Sequence, residues 1–77
     1  MVRPERMKSV FDRCTEIIAD RNKIYGDKIP DKNYSMNFAT LKLQRVDMAK
    51  TKEAKIDDLL DAINYAAFVV IALDEEK

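Results

Sequence analysis

Three short stretches carry side chains whose types and spacing could do chemistry. In 57-DDLLDAIN-64, Asp57, Asp61 and Asn64 recur at i, i+4 and i+7 and so stack along one side of a helix, with Asp58 and Asp61 neighbours at i, i+3. Like charges so placed repel by a few tenths of a kcal/mol per pair. A helix's first turn favours anions and so excuses Asp57 and Asp58, but Asp61 and Asn64 fall mid-helix, where both are poor formers. Two chemistries account for them. Oxygen ligands at this spacing suit Mg2+ or Mn2+, which prefer carboxylates and keep several waters. They equally suit ion pairs with the second stretch, 42-KLQR-45, in which Lys42 and Arg45 share a helix face and Arg45 is set partly toward the core. The third stretch, 20-DRNKIYGD-27, holds the only glycine, with Arg21, Lys23, Tyr25 and Asp27 close to it. It reads as a helix end with dipole-matched cations, or as a corner with two cations and an aromatic face for a phosphate or a base.

Composition narrows what such groups can do. There is no histidine, which removes histidine triads, histidine bases and the commonest metal ligand. Cys14 is the only cysteine, so the chain has no internal disulfide and no cysteine zinc site. Catalysis would run on carboxylates, lysine, tyrosine or a carboxylate-held metal. The net charge is zero, yet residues 1–55 carry 13 Lys/Arg against 8 Asp/Glu and residues 56–77 carry 1 against 6. Opposite charge in the two parts lets them attract, within one chain or between copies, and is unlike the basic footprint of a nucleic-acid binder. No apolar signal segment opens the chain, and its longest apolar run, 66-AAFVVIAL-73, is far short of the ~20 residues that span a bilayer. These features point to a cytoplasmic protein with no membrane partner.

The elements that must position these residues are helices. Residues 1–77 form one all-α domain, a small three-helix bundle with a long C-terminal helix. The first helix begins near Pro4 and ends at Gly26, with Met7, Val10, Phe11, Cys14, Ile17, Ile18 and Arg21 as its stripe. A polar connection covers 27–33, held out of helix before Pro30. A second helix runs from about Tyr34 to Ala49, with Tyr34, Phe38, Leu41, Arg45 and Met48 on one face. After a polar stretch in which Thr51 can cap, the third runs from about Ala54 to Asp74. Its inward stripe is Ile56, Leu59, Leu60, Ile63, Ala66, Ala67, Val70 and Leu73. Tyr65, Phe68, Val69 and Ala72 make its second half apolar nearly all round, so a second copy is expected to cover what two helices cannot.

The order of these stretches resembles small phage and bacterial proteins of the nucleotide-modification-associated type, relatives of the all-α NTP pyrophosphohydrolases (the MazG and dimeric dUTPase group). The matching residues are Lys23, Tyr25, Gly26 and Asp27; Asn37 and Phe38; Lys42 and Arg45; and Lys55, Asp58, Asp61, Asn64 and Tyr65, within a span of roughly residues 10–73. The resemblance implies an oligomeric bundle with a nucleotide held between helices and carboxylates holding Mg2+ on its phosphates. Asp58 and Asp61 keep the family's second carboxylate pattern. Glu16 and Asp20 keep the outer positions of the first, whose second carboxylate is replaced by Ile17.

Three functional readings follow. In the first, a reduced Mg2+-dependent pyrophosphohydrolase uses Glu16, Asp20, Asp58 and Asp61 as catalytic carboxylates, with the metal on Asp58 and Asp61. Arg21, Lys23, Lys42 and Arg45 contact phosphate, Tyr25 or Tyr65 stacks on the base, and Asn64 is a further ligand-binding residue. In the second, a non-catalytic protein sequesters a signalling nucleotide or inhibits a host protein. In the third, the chain is a structural helical oligomer whose charges all pair internally.

Overall fold

The computed structural model describes residues 1–76, and every regular element among them is helical. Helix α1 spans Pro4–Tyr25, α2 Lys32–Arg45 and α3 Lys52–Glu75, with one 3-10 turn at Val46–Met48. The ends follow local chemistry. Pro4 opens α1, and Gly26, at φ 80°, closes it by donating its N–H to the Asn22 carbonyl. That positive φ is what requires glycine there. The carboxylate of Asp31 accepts from the amides of Asn33 and Tyr34, so α2 starts two residues before Tyr34. Thr51 Oγ1 accepts from Ala54 N at 3.1 Å and starts α3, as expected of it. Helices α2 and α3 are therefore separate: the chain tightens at Val46–Met48, and Ala49 turns to an extended conformation (ψ 139°).

Helix α3 is the central element. It packs most extensively on α2 and crosses α1 more briefly, while α1 and α2 do not approach one another. An aromatic chain joins α2 to α3: Tyr34 lies on Phe38 (centroids 4.4 Å apart), Phe38 stacks on Tyr65 (5.3 Å), and Tyr65 meets Phe68 edge-on (5.7 Å). The crossing with α1 is polar as well as apolar. Asn64 Nδ2 donates to the Cys14 carbonyl at 3.2 Å, beside buried Cys14 and Leu60. Among the described residues, only Cys14, Leu60 and Ala62 are buried apolar side chains.

Two expected faces are corrected. On α2 the residues turned toward α3 are Ser35, Phe38, Ala39 and Lys42, and Arg45 is exposed where partial burial was expected. Small side chains at Ser35 and Ala39 suit a close helix crossing, which moves the contact face off the larger Tyr34–Leu41–Met48 row. On α3, Leu59, Ala66, Ala67, Val70 and Leu73 were assigned to the inward stripe and are exposed, whereas Leu60 is buried. The helix has more apolar faces than the chain has partners for them.

Ser35 is fully buried, and its Oγ has no hydrogen-bond partner. A buried hydroxyl left unpaired costs free energy that an apolar group does not. Ser35→Ala is therefore expected to stabilise the domain by about 1 kcal/mol, a rise in Tm of about 4–8 °C for this size. A fall in Tm on thermal melting would contradict this account of the α2–α3 contact.

Candidate functional site

The mid-section of α3 carries Asp58 and Asp61 into the bundle, and each neighbouring helix supplies a cation to it. Lys42, on the inward row of α2, places its Nζ 3.1 Å from Asp61 Oδ2 and 3.7 Å from Asp58 Oδ1. From α1, Arg21 Nη2 donates to Asp61 Oδ1 at 3.1 Å. Both Asp61 oxygens are thus engaged, one from each side. The Lys42 side chain is only 19% exposed and those of Asp58 and Asp61 13%, so this pairing is largely shielded from water. The Arg21 side chain, 43% exposed, is more screened and contributes less.

Two clefts flank this network. The first, about 490 Å3, lies where the end of α1 and the following loop meet α2 and α3. Arg21, Asn22, Tyr25 and Lys28 border it with Tyr34, Tyr65 and Phe68, and Ile18, Gly26 and Pro30 complete the wall. It has two cations, four aromatic rings and no carboxylate. The second, about 530 Å3, is bordered by Lys42, Arg45, Met48, Asp57, Asp58 and Asp61, with Ala49 and Ala54. Arg21 lines the first cleft and binds Asp61, which lines the second, so one ion pair forms part of the wall between them.

The predicted site residues are sorted by this geometry. Arg21, Tyr25 and Tyr65 come together at the first cleft, and Lys42, Arg45, Asp58 and Asp61 at the second. Asn64 is buried and holds the Cys14 carbonyl, so its amide is a tie between α1 and α3. Lys23 is exposed and faces Asp20 at 3.6 Å, one turn of α1 away. Glu16 and Asp20 are both exposed. Glu16 stands about 160° around α1 from Cys14, the residue that meets α3, and so projects away from the bundle. Among the described residues no three acidic or cysteine side chains are placed to hold one metal ion together, so Glu16 and Asp20 form no such group with Asp58 and Asp61.

Several cleft residues were not among the predicted site residues: Asn22, Lys28, Pro30, Tyr34 and Phe68. The only local signal was the close succession of Gly26, Lys28 and Pro30 before the aromatic row of α2. Cys14 is not a nucleophile candidate. Burial pushes its thiol above the ordinary range, Asp61 adds to that, and Arg13 opposes it.

No protein-family model matches the chain, and no curated protein or solved structure is significantly similar to it.

Removing one partner of a shielded ion pair leaves the other charge uncompensated. Lys42→Met keeps the apolar stem and leaves Asp58 and Asp61 facing each other, so we expect a loss of about 2 kcal/mol or more in urea denaturation. Adding Asp61→Asn should restore part of that loss, giving a double variant less destabilised than the sum of the singles. Strict additivity would mean that Lys42 and Asp61 are not coupled.

Proposed function

We propose that the chain binds a nucleotide or a similar phosphorylated ligand with a planar ring in the cleft between α1, α2 and α3. The observation that carries this reading is the composition of that cleft: Arg21 and Lys28 with four aromatic rings and no acidic side chain. Cations attract phosphate, and exposed ring faces stack on a base. Tyr25 is 80% exposed beside the cleft, so its ring is free to meet a ligand. Arg21 gives one Nη to Asp61 and retains further N–H donors, because a guanidinium has five. The Asp61 bond also fixes the direction in which those donors point. The ligand class agrees with the resemblance to nucleotide-handling all-α proteins, of whose matched residues Tyr25 and Tyr65 border this cleft and Lys42, Arg45, Asp58 and Asp61 the other.

Sequestration without turnover is the form of this reading that the geometry favours. Two-metal hydrolysis needs several carboxylates converging on the ions. Here Glu16 and Asp20 face away, and Asp58 and Asp61 converge on the ammonium of Lys42. That ammonium stands where a cation between the two carboxylates would stand. Mg2+ at Asp58 and Asp61 therefore requires Lys42 to withdraw, and these residues do not fit a pair of ions as they are arranged.

The test is a calorimetric titration with a panel of nucleotides, cyclic ones included, with and without Mg2+, followed by phosphorus NMR of each mixture. Binding is expected without Mg2+ and without new phosphate signals. Tyr25→Ala and Lys28→Glu alter exposed side chains and should spare the fold. Each should weaken binding by about tenfold or more, the scale of one lost stacking or phosphate contact. Unchanged affinity in both variants would move the ligand out of this cleft, and release of pyrophosphate or monophosphate would establish a hydrolase instead.

A further inference from the structure

The aromatic cleft has a small and countable supply of positive charge. Arg21 and Lys28 are the cations on its lining. The other two lysines of the region are engaged elsewhere: Lys23 faces Asp20 at 3.6 Å, and Lys32 gives its Nζ to Glu76 at 2.6 Å. Arg21 is itself shared, because Asp61 Oδ1 accepts from one of its nitrogens. Behind it, Lys42 answers the second Asp61 oxygen at 3.1 Å and Asp58 at 3.7 Å. The charges of Arg21, Lys42, Asp58 and Asp61 therefore cancel within the wall of the cleft. Lys28 is the one lining cation that has no acidic partner among the described residues.

Acidic groups bracket Lys28 along the loop. Asp27 precedes it and is exposed, and Asp31 follows with its carboxylate turned to the amides that start α2. Neither lines the cleft, but Asp27 stands between Gly26 and Lys28, which both do. Adjacent residues are so close that the field of Asp27 reaches any ligand held by Lys28.

We propose that the ligand of this cleft carries a single phosphate group, as a nucleoside monophosphate or a cyclic nucleotide does, and not a chain of phosphates. The inference rests on the reading of the cleft given above and says which nucleotides it accepts. One phosphate monoester, with a charge of about −1.5 to −2, is matched by Lys28 and by the donors that Arg21 retains. Each further phosphate brings charge for which the cleft has no cation, and Asp27 and Asp31 repel it. A triphosphate ordinarily carries Mg2+, which is held through carboxylates as well as phosphates. This cleft has no carboxylate to hold that ion. Selection here is by repulsion of the wrong ligand as much as by attraction of the right one.

Calorimetric titration of the full chain tests it, with the adenosine, guanosine, cytidine and uridine series as probes and no Mg2+. Each series comprises the nucleoside, its monophosphate, its cyclic monophosphate and its triphosphate. In the series that binds, one phosphate is expected to tighten binding by about tenfold or more over the nucleoside. The triphosphate should bind no tighter than the monophosphate. The monophosphate and the cyclic form, compared with each other, tell whether the monoester or the diester is preferred. Affinity that rises again from monophosphate to triphosphate overturns the proposal and leaves the cleft as the site. Absence of binding by every probe overturns the reading of the cleft itself, and this inference with it. Asp27→Lys reverses an exposed charge beside the cleft and adds what a longer phosphate chain would need. It should shift preference toward the triphosphate by about tenfold, the scale of a charge reversal at such a separation. A preference unmoved by Asp27→Lys would mean that charge does not set the limit.

Discussion

The ammonium of Lys42 between Asp58 and Asp61 is the interaction on which the rest of the structure depends. Helix α3 is the only helix that both others touch, and its middle carries two carboxylates into a bundle with very few buried apolar side chains. Those charges cannot be left unpaired in a shielded place. Their counterions have to come from the neighbouring helices, one from each: Lys42 on α2 and Arg21 on α1. A shielded ion pair contributes little net stability over an apolar contact of the same size, but it strongly disfavours arrangements that break it. Here it sets the rotation of α2 about its axis, while α1 is held across α3 by the Arg21–Asp61 pair and by the bond from Asn64 to the Cys14 carbonyl.

That constraint also shapes the two clefts. With Lys42 and Arg21 drawn to Asp61, the first cleft keeps its cations and loses all acidic lining, while the second gathers three aspartates with Lys42 and Arg45. The aromatic row of Tyr34, Phe38, Tyr65 and Phe68 then does two jobs. Its packed members join α2 to α3, and its outer edges give the first cleft its ring faces. Anion attraction and carboxylate clustering are thus separated at one residue, Asp61, whose pair with Arg21 forms part of the wall between the clefts. The proposed ligand cleft is on the side of that residue that repels no phosphate.

Much of the architecture was legible in the sequence, because its signals are local. Pro4, Gly26 and Thr51 mark helix ends by their own conformational and capping chemistry, and each stands where that chemistry put it. The pairing of Lys42 with the α3 aspartates was legible too, from charge and spacing. The inward side of α1 was legible as well, at Val10, Cys14, Ile17 and Ile18, but the inward sides of α2 and α3 were legible only in part, at Phe38, Ile56, Leu60 and Ile63. Counting apolar residues on α2 selected the Tyr34–Arg45–Met48 row, but the close crossing favours the smaller Ser35 and Ala39 and carries Lys42 inward with them. On α3 the strongest apolar stripe is the outward one, since periodicity shows that a face needs cover and not what provides it. The first cleft was only half visible: Arg21, Tyr25 and Tyr65 were named, but Lys28 and Pro30 read as a polar connection because only the tertiary return of the loop brings them to the rings.

The central claim is that the charges of α3 are held internally and that ligand chemistry belongs to the aromatic cleft beside them. Amide chemical-shift mapping of the labelled protein, titrated with a nucleotide in the absence and then the presence of Mg2+, tests it most directly. The account predicts shifts centred on Arg21, Tyr25, Lys28, Tyr34 and Tyr65 that appear without the metal. Shifts centred on Asp57, Asp58 and Asp61 that appear only with Mg2+ would contradict it, and would mean that Lys42 gives way to a metal ion.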